Sequence, residues 1–402
     1  MKLRLIMALL VACPAVVAPI SNNSVIRLFG DSVIVSATAE TVVDVSGVGN
    51  KKFTVQVDVS HPMFAKCLKR NLDISGLFVV GNGGSIKVTG APGAIVAEGS
   101  GKRVNCTTAF ADDKAARMAA RRLSDAMCEA WGQQKGFALD KIVFLKHGKQ
   151  HAVGEALPGD LCTCYADGFD IRQLTNDGKM SIFPRWKDAN TVYFISDRSG
   201  ATQIWEMNLA TERATRKWSF KGTPTGIAVS PDGTRCAAIL SFQGNPELYV
   251  LQGGNYIRLT NTPYDVEGQP TWSPDGKKIA FVRGVNSQQI WVVDVATRKE
   301  RRLTSRGRQN LDPDWGKDGR IVYITRRAGS QIAVMNSAEG DATAEVLPAA
   351  GNWQHPSWAR DMRHVVADSN RKLFVIDTVK DGDAPKQIFS ANGDWISPSW
   401  MK

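Results

Sequence analysis

A Pro-x-Trp tripeptide recurs five times along the last two-thirds of this 402-residue chain, and its spacing constrains the fold more than any other feature. The copies are Pro184-Arg185-Trp186, Pro270-Thr271-Trp272, Pro313-Asp314-Trp315, Pro356-Ser357-Trp358 and Pro398-Ser399-Trp400. The last three steps between tryptophans are 43, 43 and 42 residues, and the first gap, 86, is twice 43. Val229 stands at the midpoint of that gap and opens Val-Ser-Pro-Asp-Gly, as Trp272 opens Trp-Ser-Pro-Asp-Gly. There are therefore six copies, one without its Trp. Units of roughly 40–45 residues built of short strands predict a β-propeller.

One repeat shows the anatomy. After Trp272, Ser273-Pro274-Asp275-Gly276 has the composition of a tight turn: Pro presets φ, Asp bonds nearby backbone and Gly supplies positive φ. Lys278–Val282 and Gln289–Val293 read as the next two strands, and Glu300–Thr304 as a charged outermost one. Asp188, Asp232, Asp275, Asp318 and Asp361 recur in the turn. Each sits alone in its own blade, so they read as turn residues and no metal or cofactor is expected. The sixth copy begins at Pro398 with only its innermost strand. Lys141–Leu145, Leu161–Tyr165 and Ile171–Thr175 are expected to supply the other three. Residues 139–402 are thus read as an all-β six-bladed propeller with both ring edges sealed in one blade.

Residues 22–138 lack the period and read as a small α+β domain. Phe53–Val59 alternates apolar and polar residues, as a strand with one buried face does. Pro62 opens a helix with Phe64, Cys67, Leu68 and Leu72 on one side. Asp112-Asp113 start a second, which Gly132 is expected to end. Short strands are expected around 77–80, 85–88 and 94–97.

Met1–Ala18 has the form of a secretory signal: Lys2 and Arg4 precede an apolar run, Leu5–Val17, too short to span a bilayer comfortably. Leu10-Val11-Ala12-Cys13 also resembles a lipobox; the reading taken is soluble export with residues 1–18 removed. Without Lys2 and Arg4 the chain keeps 48 basic against 39 acidic residues. In an exported protein that surplus favours an anionic envelope surface or acidic partner over nucleic acid. The basic residues, spread over blades, read as a generally solvated surface. Six cysteines follow Cys13, an even number that leaves pairing and simple burial both open. Cys162 and Cys164 lie on one face of a strand and are poor partners for each other.

Together, the export signal, the α+β domain and the Pro-x-Trp-Ser-Pro-Asp-Gly array resemble the TolB family, the periplasmic propellers of the Tol-Pal cell-envelope system. Leu72-Asp73-Ile74-Ser75-Gly76-Leu77-Phe78, the 136–145 stretch and the 160–170 segment are similar to that family's sequences. The resemblance implies a monomeric, periplasmic, non-catalytic scaffold. It would join a peptidoglycan-associated lipoprotein (Pal) to TolA, an inner-membrane protein, and support outer-membrane integrity and cell division, with outer-membrane association through partners.

The loops ahead of each Pro-x-Trp strand converge on the propeller mouth and carry the expected Pal-facing residues: Phe183, Glu267, Gln269, Asn310, Asp312, Trp353, Gln354, His355 and Trp395. Trp353 and Trp395 fall outside the blade pattern and read as exposed docking aromatics, or else as a plug in the channel top. His355 reads as a hydrogen-bonding loop residue. The TolA-facing segment would be Val25, Ile26, Arg27, Leu28 and Phe29, a free strand able to add to a partner's sheet, or else a permanent edge strand of the domain. No Gly-x-Ser-x-Gly is present and the five histidines are scattered, so no catalytic residues are assigned. The alternative is an exported propeller that binds or cleaves polysaccharide or peptidoglycan.

Overall fold

In the computed structural model of the chain, the side chains of the Ser-Pro-Asp-Gly turns close the turns themselves. Ser273 Oγ donates to Asp275 Oδ1 at 2.6 Å, the Lys277 N–H donates to the same carboxylate, and Gly276 takes φ +65°. Asp188, Asp232, Asp318 and Asp361 each accept the backbone N–H two residues on as well. The repeated aspartate is turn chemistry.

The structure describes residues 25–28, 31–34, 52–147, 159–220, 222–243, 245–262, 266–326, 329–349, 351–379, 382–389 and 393–401. The signal region and Phe29 lie outside them. Residues 1–49 and 50–402 form two units. In the first, β1 (Val25–Leu28) pairs antiparallel with β2 (Asp31–Ile34).

The second unit opens with the α+β domain. Its strands are β3 (Phe53–Val59), β4 (Phe78–Val80), β5 (Ile86–Gly90), β6 (Ile95–Gly99) and β7 (Lys102–Cys106), arranged β4-β3-β5-β6-β7. β7 is a polar edge strand whose composition hides it from the sequence. Helix α1 (Pro62–Ile74) starts with Pro62 in its first turn and His61 accepting the Phe64 N–H. Helix α2 (Asp113–Gly132) is capped by Asp112, which accepts the Ala115 N–H at 2.8 Å. The left-handed stop of α2 falls on Gln133 (φ +54°), one residue past Gly132. Gly132 is small for packing instead: a Cβ there would lie 2.5 Å from Leu77 Cδ1. Phe64, Leu68, Leu123 and Met127 meet Val55, Ile86 and Ile95 in the domain core.

Six four-stranded sheets follow. The innermost strands of blades 1 to 5 are Ser181–Asp188, Thr223–Val229, Val266–Trp272, Gln309–Trp315 and Trp353–Trp358. In the closing blade, Asp394–Trp400 pairs antiparallel with Lys141–His147, with Trp400 opposite Ile142 and Ser399 opposite Val143, and Gly159–Tyr165 and Arg172–Gln173 lie outside. The five innermost strands that carry the motif proline break register at it, for example between Leu311 and Asp314 and between Gln354 and Ser357, and the strand of blade 2 breaks earlier, between Pro224 and Gly226. A residue with no N–H to offer suits a bulge on a channel-facing edge.

The tryptophans staple neighbouring blades together. Trp272 Nε1 donates to Ala228 O of blade 2 at 3.1 Å, and Trp186 Nε1 to Ser399 O of the closing blade at 2.9 Å. Arg235 and Arg320 each reach from one blade over the Trp of the next, 4.6 Å and 4.9 Å from the rings of Trp272 and Trp358.

The α+β domain is clamped to the closing blade. Arg121 of α2 makes a bidentate pair with Asp167 (2.7 and 3.0 Å), both side chains fully buried, and reaches Asp170 at 2.8 Å. The Phe137 ring meets Trp400 edge-on, with centroids 5.2 Å apart. All six described cysteines, Cys67, Cys106, Cys128, Cys162, Cys164 and Cys236, are free and buried. No helix among the described residues is long and apolar enough to cross a membrane.

Candidate docking channel

The inner strands leave a cavity of about 470 Å³ along the propeller axis, walled by the Pro-x-Trp segments and ending at Pro231, Pro274 and Lys317 beside the turns. The residue at x faces this space. It is polar in all five copies, a signal that sequence reasoning passed over. Most x residues latch one blade to the next: Thr271 Oγ1 accepts the Trp315 N–H, Asp314 the Trp358 N–H and Ser357 Oγ the Trp400 N–H, at 3.0, 2.8 and 3.1 Å.

Arg185, the x residue of blade 1, brings a guanidinium to the channel wall, which Lys187 and Lys317 also line. Burial lowers its pKa, opposed by the Asp314 and Asp312 carboxylates across the space. His355 Nδ1 lies 2.7 Å from Asp368 Oδ1, which also accepts the Ser397 N–H, and the His355 N–H donates to Asp312 Oδ2 at 3.2 Å. Burial works against protonating His355, but Asp312 and Asp368 outweigh it and hold its pKa above the ordinary histidine value. Phe183, Asp312, His355 and Ser397 all take positive φ (49° to 52°) immediately before their prolines. Strained backbone repeated around one ring fixes these side chains in place.

The nine residues expected at one mouth separate. Gln269, Asp312 and His355 line the axial cavity. Gln354 lines a different one of about 330 Å³, with His147, Asp368 and Arg371. Asn310 is buried, donating to Gln289 Oε1 and Arg306 O, so its amide serves the blade. Phe183 packs in part against a core between blades 1 and 2. Glu267 belongs to the strand Val266–Trp272, paired with Val282.

The reading of Trp353 and Trp395 as exposed aromatics is corrected: they are 4 % and 5 % exposed. The innermost strands begin before the Pro-x-Trp motif, so these rings turn into the blade cores. Trp353 packs edge-on to Phe374 and donates to Ala349 O, and Trp395 packs edge-on to Phe144 and Phe389. Neither plugs the channel. The segment read as a free strand, Val25–Leu28, is paired with β2, Val25 opposite Ile34.

A family model described as the TolB beta propeller domain matches residues 129–402. The chain belongs to the TolB propeller family. Among curated relatives, the Tol-Pal system protein TolB of Francisella tularensis subsp. tularensis is 26 % identical over 241 residues, 56 % of this chain and 54 % of that protein. A TolB homolog from Chlorobium luteolum is 28 % identical over 150 residues, 35 % of this chain and 33 % of its own. The match therefore spans from a third to about half the length of these TolB relatives. The crystal structure of TolB from Acinetobacter baumannii shares the fold, with TM-score 0.75 at 20 % identity over 88 % of this chain and 97 % of that one.

Proposed function

We propose that this chain is an exported, periplasmic, non-catalytic docking protein of a Tol-Pal system, joining a Pal-like lipoprotein to a TolA-like inner-membrane protein in support of outer-membrane integrity and constriction during division. Family membership supports the system, and the fixed charges of the axial channel carry the reading of the site. Arg185, Asp312, Asp314 and His355 are held by hydrogen bonds, neighbouring carboxylates and bulged backbone, so a partner segment meets a pre-organised polar surface and little ordering cost. His355 is bonded to Asp368, and no hydroxyl or thiol among the described residues is hydrogen-bonded to it, which favours recognition over nucleophilic chemistry.

The Pal-facing residues are Gln269, Asp312 and His355; the TolA-facing segment is Val25–Phe29, of which Val25–Leu28 would leave its pairing with β2 to add to a partner sheet. The test is binding of the peptidoglycan-associated domain of a Pal-like lipoprotein by calorimetry. Asp312→Asn keeps an acceptor for the His355 N–H while removing the charge, and should weaken binding about tenfold or more at unchanged melting temperature. Equal affinity for the two proteins would remove the channel from the reading.

A further inference from the structure

We propose that the outer edge of blade 3, from Arg298 to Arg308 with Val285 beside it, is a docking surface for an anionic lipid leaflet. Six basic residues, Arg298, Lys299, Arg301, Arg302, Arg306 and Arg308, lie within eleven positions, and all are exposed. Of the acids near them, Glu300 is committed to Arg283, at 2.7 and 2.9 Å, while Asp341 accepts the Ser305 and Arg306 backbone N–H groups and so offsets part of the Arg306 charge. On the outer strand of blade 1, Arg213 and Arg216 likewise have no carboxylate partner among the described residues, two charges against six, while Lys217 pairs with Glu206. Elsewhere the outer basic residues are paired. Arg172 is held by Glu212, Arg258 by Glu247 and Lys386 by Asp73 and Asp383. Among the described residues, none of the six forms an ion pair with a carboxylate; Arg301 donates to Ser337 O and Arg302 to Thr304 O, contacts with neutral carbonyls that leave the positive charge unbalanced.

The second observation is apolar. Val285 is 56 % exposed, more than any other large hydrophobic side chain among the described residues. Its loop is tied to the basic one, with Ser287 Oγ donating to Arg308 O at 3.3 Å and the Asn310 N–H to Gln288 O at 2.8 Å. An apolar tip fixed beside arginines matches a leaflet boundary, where the tip enters the acyl region and guanidinium forks meet headgroup phosphates. A soluble polyanion would use the charges and leave Val285 without a role. The α+β domain is clamped to the closing blade and leaves this edge uncovered.

The test uses the full chain and sedimentation with vesicles of pure phosphatidylcholine, or of equal parts phosphatidylcholine and phosphatidylglycerol. The readout is the part of binding that requires the anionic lipid. Arg301→Gln/Arg306→Gln/Arg308→Gln should lower it on the order of a hundredfold, taking the usual contribution of each basic residue near such a surface. Val285→Ser should lower it several-fold, and raised salt should abolish it. A control, Lys179→Gln/Arg213→Gln/Arg216→Gln, removes the same charge from blade 1 and the loop before it. Equal loss in control and edge variants means net charge alone and overturns the proposal. So does unchanged vesicle binding by the edge variant, including the case where that variant loses only binding to a soluble acidic polysaccharide.

Discussion

The Asp314 carboxylate of blade 4 accepts a 2.8 Å hydrogen bond from the backbone N–H of Trp358 in blade 5. Asp314→Ala strands a donor beneath a fully buried indole and should cost about 1–3 kcal/mol. Asp314→Asn, which keeps an acceptor, should cost less. Urea unfolding of the two variants gives the comparison, and equal midpoints for Ala and wild type would mean the latch carries no stability.

Trp353→Ala and Trp395→Ala should each destabilise by about 3–5 kcal/mol, because each removes a large side chain from a blade core. The same tryptophans on an exposed mouth would leave the melting temperature unchanged. Thermal melts separate the two situations.

At the domain junction, Arg121→Met alone should cost about 3–5 kcal/mol by leaving Asp167 charged and buried. Adding Asp167→Asn should recover part of that loss, since it removes the unpaired charge and keeps an acceptor for the Phe169 N–H. A double variant as unstable as the single one would show that the clamp is irreplaceable.

Asp140 makes the folded chain sensitive to pH. Its carboxyl is buried, pairs with Arg360 at 2.7 Å and is pushed up from 3.8 to about 7 by burial, with Asp125 and Asp361 adding to the effect. Between those values the folded protein holds a proton that the unfolded chain releases. This contribution to stability is therefore complete below 3.8 and is lost as pH rises towards about 7, at about 1.4 kcal/mol for each tenfold fall in proton concentration. Asp140→Asn should flatten the decline across that window and be the more stable form above it. Unfolding free energies at several pH values provide the check, and parallel curves would exclude Asp140.

Much of the architecture was legible because propeller blades are local objects. The turn aspartate bonds backbone within its own turn in five blades, so its spacing marks them, and the strands 141–145 and 398–400 together complete the one blade that lacks a contiguous set. The site was less legible. Latching by Thr271, Asp314 and Ser357 joins residues 43 or 44 positions apart, which no local pattern announces. Trp353 and Trp395 misled because burial in a blade depends on which face of the strand a ring takes, and the bulge ahead of each proline changes that face. Gly132 carried a stop signal but serves the Leu77 contact. The buried pair of Arg121 and Asp167 joins two domains and is invisible to either one alone.

The closing blade also imposes a schedule. Lys141–His147 leaves the ribosome, and by the proposed route the export channel, long before its partner strand Asp394–Trp400. At about 5–20 residues per second the wait is on the order of tens of seconds. Until Asp394–Trp400 arrives, the inner edge of Lys141–His147 has no strand to pair with, and an unpaired edge is open to capture by a foreign strand. Ring closure thus keeps time with delivery of the polypeptide, and anything that stalls delivery lengthens the exposure.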